Sequence, residues 1–336
     1  MLCRSRLLLG LSFRRNVNIL RNVSTGERDP APVFFNSEVQ QLLKKLTRID
    51  LKKVYRTRRL GSRLQEPEYK FLTTEELTEV MQEAEKQVEC KLQMPPVVKL
   101  RSDDIEVLSE DFELQGLEDS KFLFTDITYG VNDRERVIVA RDPNGVLRKA
   151  NGEERHRMNE TYFPVEGRKI RTPHMFEKPY LQRLLDSAEY EFVLDRACLQ
   201  FEPDEPLYQD VTATTYSTVE EAQHYSYLRS TRHFGPFAFH LAWNRTIDNL
   251  LLDIINEDRL DEAVALVKLY HLVNPDAKSL SCKLEEGKEH DFIQKYVELD
   301  SKKRPALELS LQANVQMHQQ RAAVDAGIRK AHGQSQ

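Results

Sequence analysis

Residues 121–172 read KFLFTDITYGVNDRERVIVARDPNGVLRKANGEERHRMNETYFPVEGRKIRT, a stretch that alternates short apolar runs with turn-forming residues. Three runs have the composition of β-strands, namely 122–128, 136–140 and 146–149. The sequence DPNG at 142–145 is a tight-turn signal between the last two. Asn151 with Glu154 three residues later is typical of a capped helix start, and Pro164 ends the helical pattern. We therefore predict a small antiparallel β-meander followed by one capped helix.

The chain before this block has helical periodicity. Apolar residues recur every three or four positions from Val39 to Val54, which predicts an amphipathic helix. Thr73 and Glu76 have the spacing of a capping box, so a further helix is expected to begin there. With the helical pattern that follows the block, the predicted fold class is α+β, mainly α-helical.

The C-terminal half is predicted to consist of helices, including helical hairpins. Apolar stripes at 247–255 and 260–273 lie on either side of a short turn, which indicates two packed antiparallel helices. A final helix is predicted over 306–330. The Thr- and Tyr-rich stretch 205–223 is predicted to be a loop, and the aromatic cluster at 234–239 is predicted to lie in the core.

Composition divides the chain into five regions. They are a mitochondrial presequence at 1–26, a helical region with a basic run at 36–100, an acidic linker at 101–120, the β-meander with its helix at 121–175, and a helical domain at 176–333. The presequence contains five Arg and no acid among apolar residues and Ser, the composition of a mitochondrial import signal. The acidic region is predicted to be an exposed linker or an acidic edge that faces a basic neighbour.

The sequence shows no recognisable catalytic or metal-binding motif. It contains no GxxxxGK[ST] or GxGxxG phosphate loop, no GxSxG nucleophile elbow and no HExxH zinc helix. The nine histidines are scattered, and the four cysteines are too far apart for a CxxC pair. No apolar run approaches the roughly 18 residues that a membrane span needs. We therefore predict no enzyme activity, no cofactor, no metal, no small-molecule substrate and no membrane span.

The most basic segment is 42–63, which contains nine Lys or Arg and one acid. Such a segment can bind the phosphates of RNA without reading its bases. The candidate RNA-backbone contacts are Lys44, Lys45, Arg48, Lys52, Lys53, Arg56, Arg58, Arg59 and Arg63. The alternative is a solvated helix face that pairs with the chain's own acids at 66–89.

A second set of cations is mixed with acids. Ten Lys or Arg lie in 134–171, and seven acids lie in 133–166. This mixture favours a defined, partly protein-facing interface over simple phosphate binding. The candidates for an RNA or protein interface are Arg134, Arg136, Arg148, Lys149, Arg155, Arg168, Lys169, Arg229 and Arg232. Arg229 and Arg232 are spaced for one helix face, and the alternative is that they cap the acidic turn at 253–262.

Several long strings of the sequence, in the same order, resemble the mitochondrion-specific family of small-subunit ribosomal proteins numbered twenty-two. They are LLKKLTRIDLKKVY, KLQMPPV, FTDITYGVNDRERVIVARDPNGVLRKANGEERHRM, YFPVEGRKI, YLRSTRHFG and LVKLYHLVNPD. The resemblance implies a structural, non-enzymatic component of the mitochondrial small ribosomal subunit in the matrix. Its implied partners are the small-subunit ribosomal RNA and neighbouring mitochondrial ribosomal proteins.

A function of a different class is a free mitochondrial helical-repeat adaptor that binds RNA. The sequence DRLDEA at 258–263 is similar to the hairpin turn of tetratricopeptide and pentatricopeptide repeats. A stacked array needs at least three repeats, and no third copy can be aligned on this chain. The ribosomal interpretation is therefore preferred on sequence.

Overall fold

The structure is a computed structural model that describes residues 28–56, 69–101, 105–116, 119–133, 135–281 and 288–331. The predicted presequence lies outside these residues. The α-helices are α1 (Ala31–Phe34), α2 (Ser37–Thr47), α3 (Leu51–Val54), α4 (Thr74–Lys91), α5 (Gly152–Tyr162), α6 (Lys178–Asp186), α7 (Tyr190–Gln200), α8 (Pro206–Ala222), α9 (Tyr225–Leu228), α10 (Phe234–Trp243), α11 (Asp248–Asn256), α12 (Leu260–Val273), α13 (Glu289–Leu299) and α14 (Arg304–Ala331). The strands are β1 (Val107–Glu110), β2 (Phe122–Thr125), β3 (Ile138–Arg141) and β4 (Val146–Lys149). The predicted fold class, α+β and mainly helical, is confirmed.

The strands form one antiparallel sheet in the order β1–β4–β3–β2. Phe124 pairs with Val139, and Ala140 pairs with Arg148, so the predicted meander β2–β3–β4 is present. The first strand ends earlier than predicted because the Asp126 carboxylate accepts hydrogen bonds from the backbone and hydroxyl of Thr128. Such an Asx turn offers the backbone an alternative to the ladder.

The acidic region contributes the fourth strand, which the sequence did not indicate. β1 pairs with β4 at the edge of the sheet, and all four of its residues are exposed. Beyond it, the Asp111 amide donates to the carbonyl of Gly145 at 3.1 Å. The segment 107–110 is therefore ordered as an edge strand instead of a plain linker.

Local capping rules account for the two helices predicted from them. Asn151 accepts a hydrogen bond from the Glu154 amide, and the Glu154 carboxylate accepts one from the Asn151 amide, at 2.8 and 3.0 Å. Thr73 and Glu76 form the same reciprocal box at the start of α4. Each box satisfies amides that a helix start leaves without partners.

The main hydrophobic core lies in the helical part of the chain and includes the first helices. Val39, Leu43 and Leu46 of α2 are fully buried in the same cluster as α10 and α12, and α2 packs against both helices. Helix α2 of the predicted region 36–100 therefore shares a core with the helices of the predicted domain 176–333. The aromatic residues of α10 lie in this core, as predicted.

The stretch 205–223 was predicted to be a loop, and this prediction is wrong because it forms α8. Pro206 opens the helix, and Gln223 ends it with a left-handed backbone at φ 55°. Its buried residues recur with helical spacing, and they are Tyr208, Val211, Thr212, Thr215, Tyr216 and Val219. The buried Thr215 hydroxyl donates to the Val211 carbonyl, so burial leaves it satisfied. Packing of this face outweighs the weak helix propensity of Thr.

The predicted hairpin of α11 and α12 is present, and α14 covers it. Asp258 makes the turn at φ 62°. Its carboxylate accepts hydrogen bonds from Asn314, His318 and Arg321 of α14 at 2.7–2.9 Å. Because α14 packs on α11 and on α13, these helices form a closed group and not an open array of stacked repeats. No helix in the described part of the chain is both long and apolar enough to cross a membrane.

Gly145 provides a test of how the acidic region is attached to the meander. A Cβ at Gly145 would lie within 2.0 Å of the Asp111 carbonyl oxygen, whereas a Cβ at Gly130 meets nothing within 4 Å. Both residues have positive φ, so an alanine at either position introduces backbone strain of about 1–2 kcal/mol. Gly145→Ala should lower the free energy of unfolding by about 1–3 kcal/mol more than Gly130→Ala, because only it adds a backbone clash.

The measurement is urea unfolding of both variants, with hydrogen exchange of the amides in 107–111. Faster exchange of these amides is expected only in Gly145→Ala. Equal losses of stability and equal exchange in the two variants would contradict the attachment.

Candidate RNA and protein interface

Helix α2 separates its apolar residues from its cations. Asn36 caps the helix start by accepting a hydrogen bond from the Glu38 amide, and Leu43 and Leu46 face the core. Lys44 and Lys45 are exposed. Lys45 makes no hydrogen bond or ion pair with a described residue, and Lys44 approaches Glu89 of α4 at 3.5 Å. The predicted pairing of this helix with acids at 66–89 is thus limited, among described residues, to one solvated contact.

Arg48 does not continue the cationic face, because α2 ends at Thr47 and Arg48 has φ 61°. Its guanidinium turns inward and donates to both carboxylate oxygens of Glu262 at 2.7–2.9 Å and to Glu257 at 2.6 Å. Burial alone would lower the pKa of Arg48, but these hydrogen bonds raise it above its ordinary value. Arg48 therefore ties the end of α2 to the start of α12.

Arg229 reaches the same carboxylate from a third part of the chain. It is buried, donates to the Leu46 carbonyl at 2.6 Å and lies 3.5 Å from Glu262. Burial, together with the nearby charge of Arg48, lowers the pKa of Arg229 to about 10, so the side chain stays charged at neutral pH. Arg259 completes the cluster with a contact of 3.1 Å to Glu262.

The remaining cations of the basic run have different roles. The Lys53 amine donates to the carbonyls of Ser226, Tyr227 and Arg229 at 2.5–2.8 Å, so it caps the end of α9. Burial lowers the pKa of Lys53. Arg56 is exposed and pairs with Glu191 at 2.8 Å. Lys52 is exposed and makes no contact of this kind with a described residue, while the candidates Arg58, Arg59 and Arg63 lie outside the described residues.

The candidate cations of the meander are largely used within the protein. Arg136 is 3% exposed, lies 3.5 Å over the Phe163 ring, and donates to the carbonyls of residues 126, 128 and 131. Arg148 pairs with Asp142 and Glu154 at 2.7–3.0 Å. Arg155 donates to the carbonyls of residues 133 and 136. Lys149 pairs with Glu106 at 2.5 Å and remains exposed, and Arg134 lies outside the described residues.

Arg168 joins the meander region to the helical part. Its guanidinium contacts Asp133 at 3.2 Å, Glu160 at 3.5 Å and Glu202 at 2.8 Å, and it donates to the Leu199 carbonyl. The next residue, Lys169, exchanges two backbone hydrogen bonds with the Gln200 amide group and leaves its own side chain exposed. Arg168 is therefore a structural junction, and Lys169 is available to a partner.

Arg229 and Arg232 do not share a helix face, because α9 ends at Leu228. Arg232 pairs with Asp195 at 2.7 Å, and the same carboxylate holds His233 at 2.8 Å. The alternative prediction, that these arginines cap the acidic turn at 253–262, agrees with the position of Arg229. This residue contacts Glu262 beside the turn of the α11–α12 hairpin.

Among the candidate cations that the structure describes, those with exposed side chains form a smaller set than the sequence suggested. They are Lys44, Lys45, Lys52, Arg56, Lys149 and Lys169. Lys268 of α12 is also exposed, and it lines a groove together with Lys45, Leu42 and Leu272. No signal in the sequence pointed to Lys268, because this lysine stands alone among apolar residues and is 226 positions beyond the start of the basic run at residue 42. It comes close to Lys45 because α2 packs on α12.

The described residues contain no group of three or more His, Cys, Asp or Glu that could hold a metal ion. Cys198 is partly buried beside the Tyr208 hydroxyl at 3.6 Å. Burial raises the pKa of the Cys198 thiol, which disfavours the thiolate that a nucleophile needs.

Comparison with known proteins gives consistent matches. A family model described as mitochondrial 28S ribosomal protein S22 matches residues 32–275. The small ribosomal subunit protein mS22 of Bos taurus is 40% identical over 283 residues, which cover 84% of this chain and 78% of that protein. Its counterpart of the same name in Mus musculus is 39% identical over 282 residues, with the same coverage. The family match includes α2, α3, the sheet and α12.

Among the charged residues described above, Glu262 is predicted to be the one whose substitution lowers stability most. Glu262→Gln would leave the buried Arg229 without its nearest counter-charge and would leave the part-buried Arg48 with Glu257 alone, which should lower the free energy of unfolding by about 3–5 kcal/mol. The matched control is Asp276→Asn, because Asp276 pairs with Arg245 where both side chains are largely exposed. That change should cost much less, because solvent screens an exposed ion pair. Urea unfolding at neutral pH measures the free energy of unfolding of both variants. Similar decreases in the two variants would contradict the structural role of Glu262.

The ion pairs between β4 and α5 predict a specific acid sensitivity. The hydrogen bonds from Arg148 lower the pKa of Glu154 from its ordinary value of 4.5 to about 2. Because the folded pKa lies below the unfolded one, this stabilisation is present above pH 4.5 and is lost as the pH falls towards 2. Glu154→Gln should lower stability at pH 7 and flatten its decline between these values. Unfolding titrations across this pH range test it, and an unchanged slope in the variant would contradict the assignment.

Proposed function

Because this chain belongs to the mitochondrial 28S ribosomal protein S22 family, we propose that it is a structural component of the small subunit of the mitochondrial ribosome. The observation that carries this proposal is the family match over residues 32–275, supported by the 40% identity to the bovine protein. On this proposal the protein acts in the matrix, in mitochondrial translation. The arginine-rich, acid-free composition of residues 1–26 supports import into that compartment.

The proposed role is non-catalytic. The side chains that bring distant parts of the chain together are buried or part-buried arginines in ion pairs, among them Arg48, Arg168 and Arg229. Such pairs fix the relative positions of helices and sheet, which is what a component held between other molecules requires. The surface then acts through contact with ribosomal RNA and neighbouring ribosomal proteins.

The surface proposed to contact ribosomal RNA is the cationic face of α2, α3 and the residues that directly follow α3. It consists of Lys44, Lys45, Lys52 and Arg56, with Lys268 beside Lys45. These cations need no particular geometry to bind phosphate, and neutralising phosphates releases condensed counterions. Lys149 and Lys169 belong to the meander region and not to this face, so they are better suited to single contacts.

Sedimentation tests the proposed function. Lysate from mitochondria that express the full chain is separated on a sucrose gradient at high salt, and the chain is followed with the small-subunit ribosomal RNA. We expect co-migration with the small subunit. Recovery mainly in the light fractions would refute the ribosomal role and favour a free RNA-binding adaptor.

A double substitution tests the RNA face. Lys45→Ala with Lys52→Ala should weaken binding of the full chain to small-subunit ribosomal RNA and reduce the salt dependence of log K by about one per lost contact. The control is Lys86→Ala, which removes one exposed cation from α4. Binding is measured between about 50 and 200 mM salt, where phosphate contacts dominate the change in affinity. An equal effect of the control, or crosslinks from 44–56 to protein alone, would contradict RNA contact by this face.

A further inference from the structure

Helix α4 carries an apolar stripe that the described chain covers only at its C-terminal end. Its apolar residues Leu77, Val80, Met81, Ala84 and Val88 recur at three and four positions, which places them on one face. Val88 is 1% exposed, whereas Leu77, Val80 and Met81 are 51%, 50% and 45% exposed. Three large apolar side chains on one face therefore meet solvent side by side.

The helix is firmly held where the stripe is covered. The Tyr55 hydroxyl donates to the Ala84 carbonyl at 2.7 Å, and the Lys91 amine lies 4.3 Å over the Tyr55 ring. After the helix, Met94 packs against the main core. The capping box at Thr73 orders the other end, so α4 presents a preformed helical face and not a flexible segment.

The residues just before the helix extend the apolar face. Leu72 precedes the cap and Leu77 is four residues beyond it, which are the positions of a hydrophobic staple. Both side chains are about half exposed, and Phe71 beside them is fully exposed. The uncovered stripe thus runs over the first half of the helix and its entry.

The charge around the stripe is negative. The helix carries six Glu and two Lys. Glu76 is used in the cap and Glu89 approaches Lys44. The other four, Glu75, Glu79, Glu83 and Glu85, make no ion pair with a described residue and are exposed.

This charge decides which kind of partner can cover the stripe. The phosphates of RNA and the anionic head groups of a membrane would be repelled by the exposed carboxylates. A cationic protein surface would be attracted, and the apolar residues would supply the buried centre of the contact.

We propose that the exposed stripe of α4 docks into an apolar groove on a second protein, with Lys and Arg of that protein bordering the groove. The mode is an amphipathic helix in a groove, anchored at i, i+3 and i+4 by Leu77, Val80 and Met81. The proposal rests on the proposed function, because the neighbours within the small subunit are the partners at hand. It assigns opposite roles to two adjacent helices, with α2 facing RNA and α4 facing a basic protein.

Site-specific photocrosslinking tests the partner. A benzoylphenylalanine is placed at Met81 of the full chain in mitochondria, small subunits are isolated and irradiated, and the crosslinked peptide is identified by mass spectrometry. The matched control is the same probe at Gln82, which is exposed and turned about 100° around the helix from Met81. We expect Met81 to crosslink to a Lys- or Arg-rich segment of another subunit protein, and Gln82 to give much less of this product.

Other products would overturn the proposal. They are crosslinks from Met81 to ribosomal RNA, to residues 57–68 of the same chain, to a second copy of the chain or to an acidic protein segment, equal labelling from both positions, or no crosslink within assembled subunits. Failure of the proposed function is distinguished from these results, because the unmodified chain would then be missing from the small-subunit fraction.

Truncation of the stripe provides a second readout. Val80→Ala with Met81→Ala should reduce incorporation by about tenfold or more when the variant competes with the unchanged chain for assembling subunits, because both anchors of the contact are truncated. Gln82→Ala should compete equally with the unchanged chain. Folding of the variants is checked by their unfolding midpoints, which should match because the replaced side chains are exposed and Ala favours helix. Equal incorporation of both variants would refute docking through this face.

Discussion

The arrangement of the helices depends on the ion pairs that the Glu262 carboxylate makes with arginines from different parts of the chain. It receives Arg48 from the end of α2, Arg229 from the end of α9 and Arg259 from its own hairpin turn. Arg48 and Glu262 are 214 positions apart in the sequence, yet the three arginines meet at this one buried carboxylate. Because the buried Arg229 and the part-buried Arg48 share this counter-charge, the positions of α2, α9 and α12 are interdependent.

Arg168 has the corresponding role between the sheet and the helices. It contacts acids from the loop before β3, from α5 and from the segment after α7. The high arginine content of this region therefore serves internal architecture first. Only Lys149 and Lys169, among the described candidates there, keep exposed side chains.

These internal pairs leave two surfaces of opposite sign near the N-terminus of the described chain. The face of α2 and α3 is cationic, and α4 is acidic with an uncovered apolar stripe. Lys44 and Glu89 are the point at which they approach each other, at 3.5 Å. These two surfaces suit a protein that lies between ribosomal RNA and a basic protein. The cationic face attracts RNA and repels a basic protein, and the acidic helix does the reverse.

The sequence by itself determined the features that depend on near neighbours. The capping boxes at Thr73 and Asn151, strand β4, the α11–α12 hairpin and the final helix follow from interactions within a few residues. The family resemblance, carried by long strings of residues, was also correct.

Tertiary structure decided whatever depends on distant partners. β1 forms because β4 offers a free edge, and α8 is helical because its Thr- and Tyr-rich face is buried against other helices. It likewise decided which cations reach solvent. Arg48 and Lys45 stand three residues apart in one basic run, but one is neutralised by an acid 214 positions away and the other is free of described partners. A charge is expensive to bury alone, so its fate is set by the acid that folding brings to it, and spacing along the chain does not contain that information.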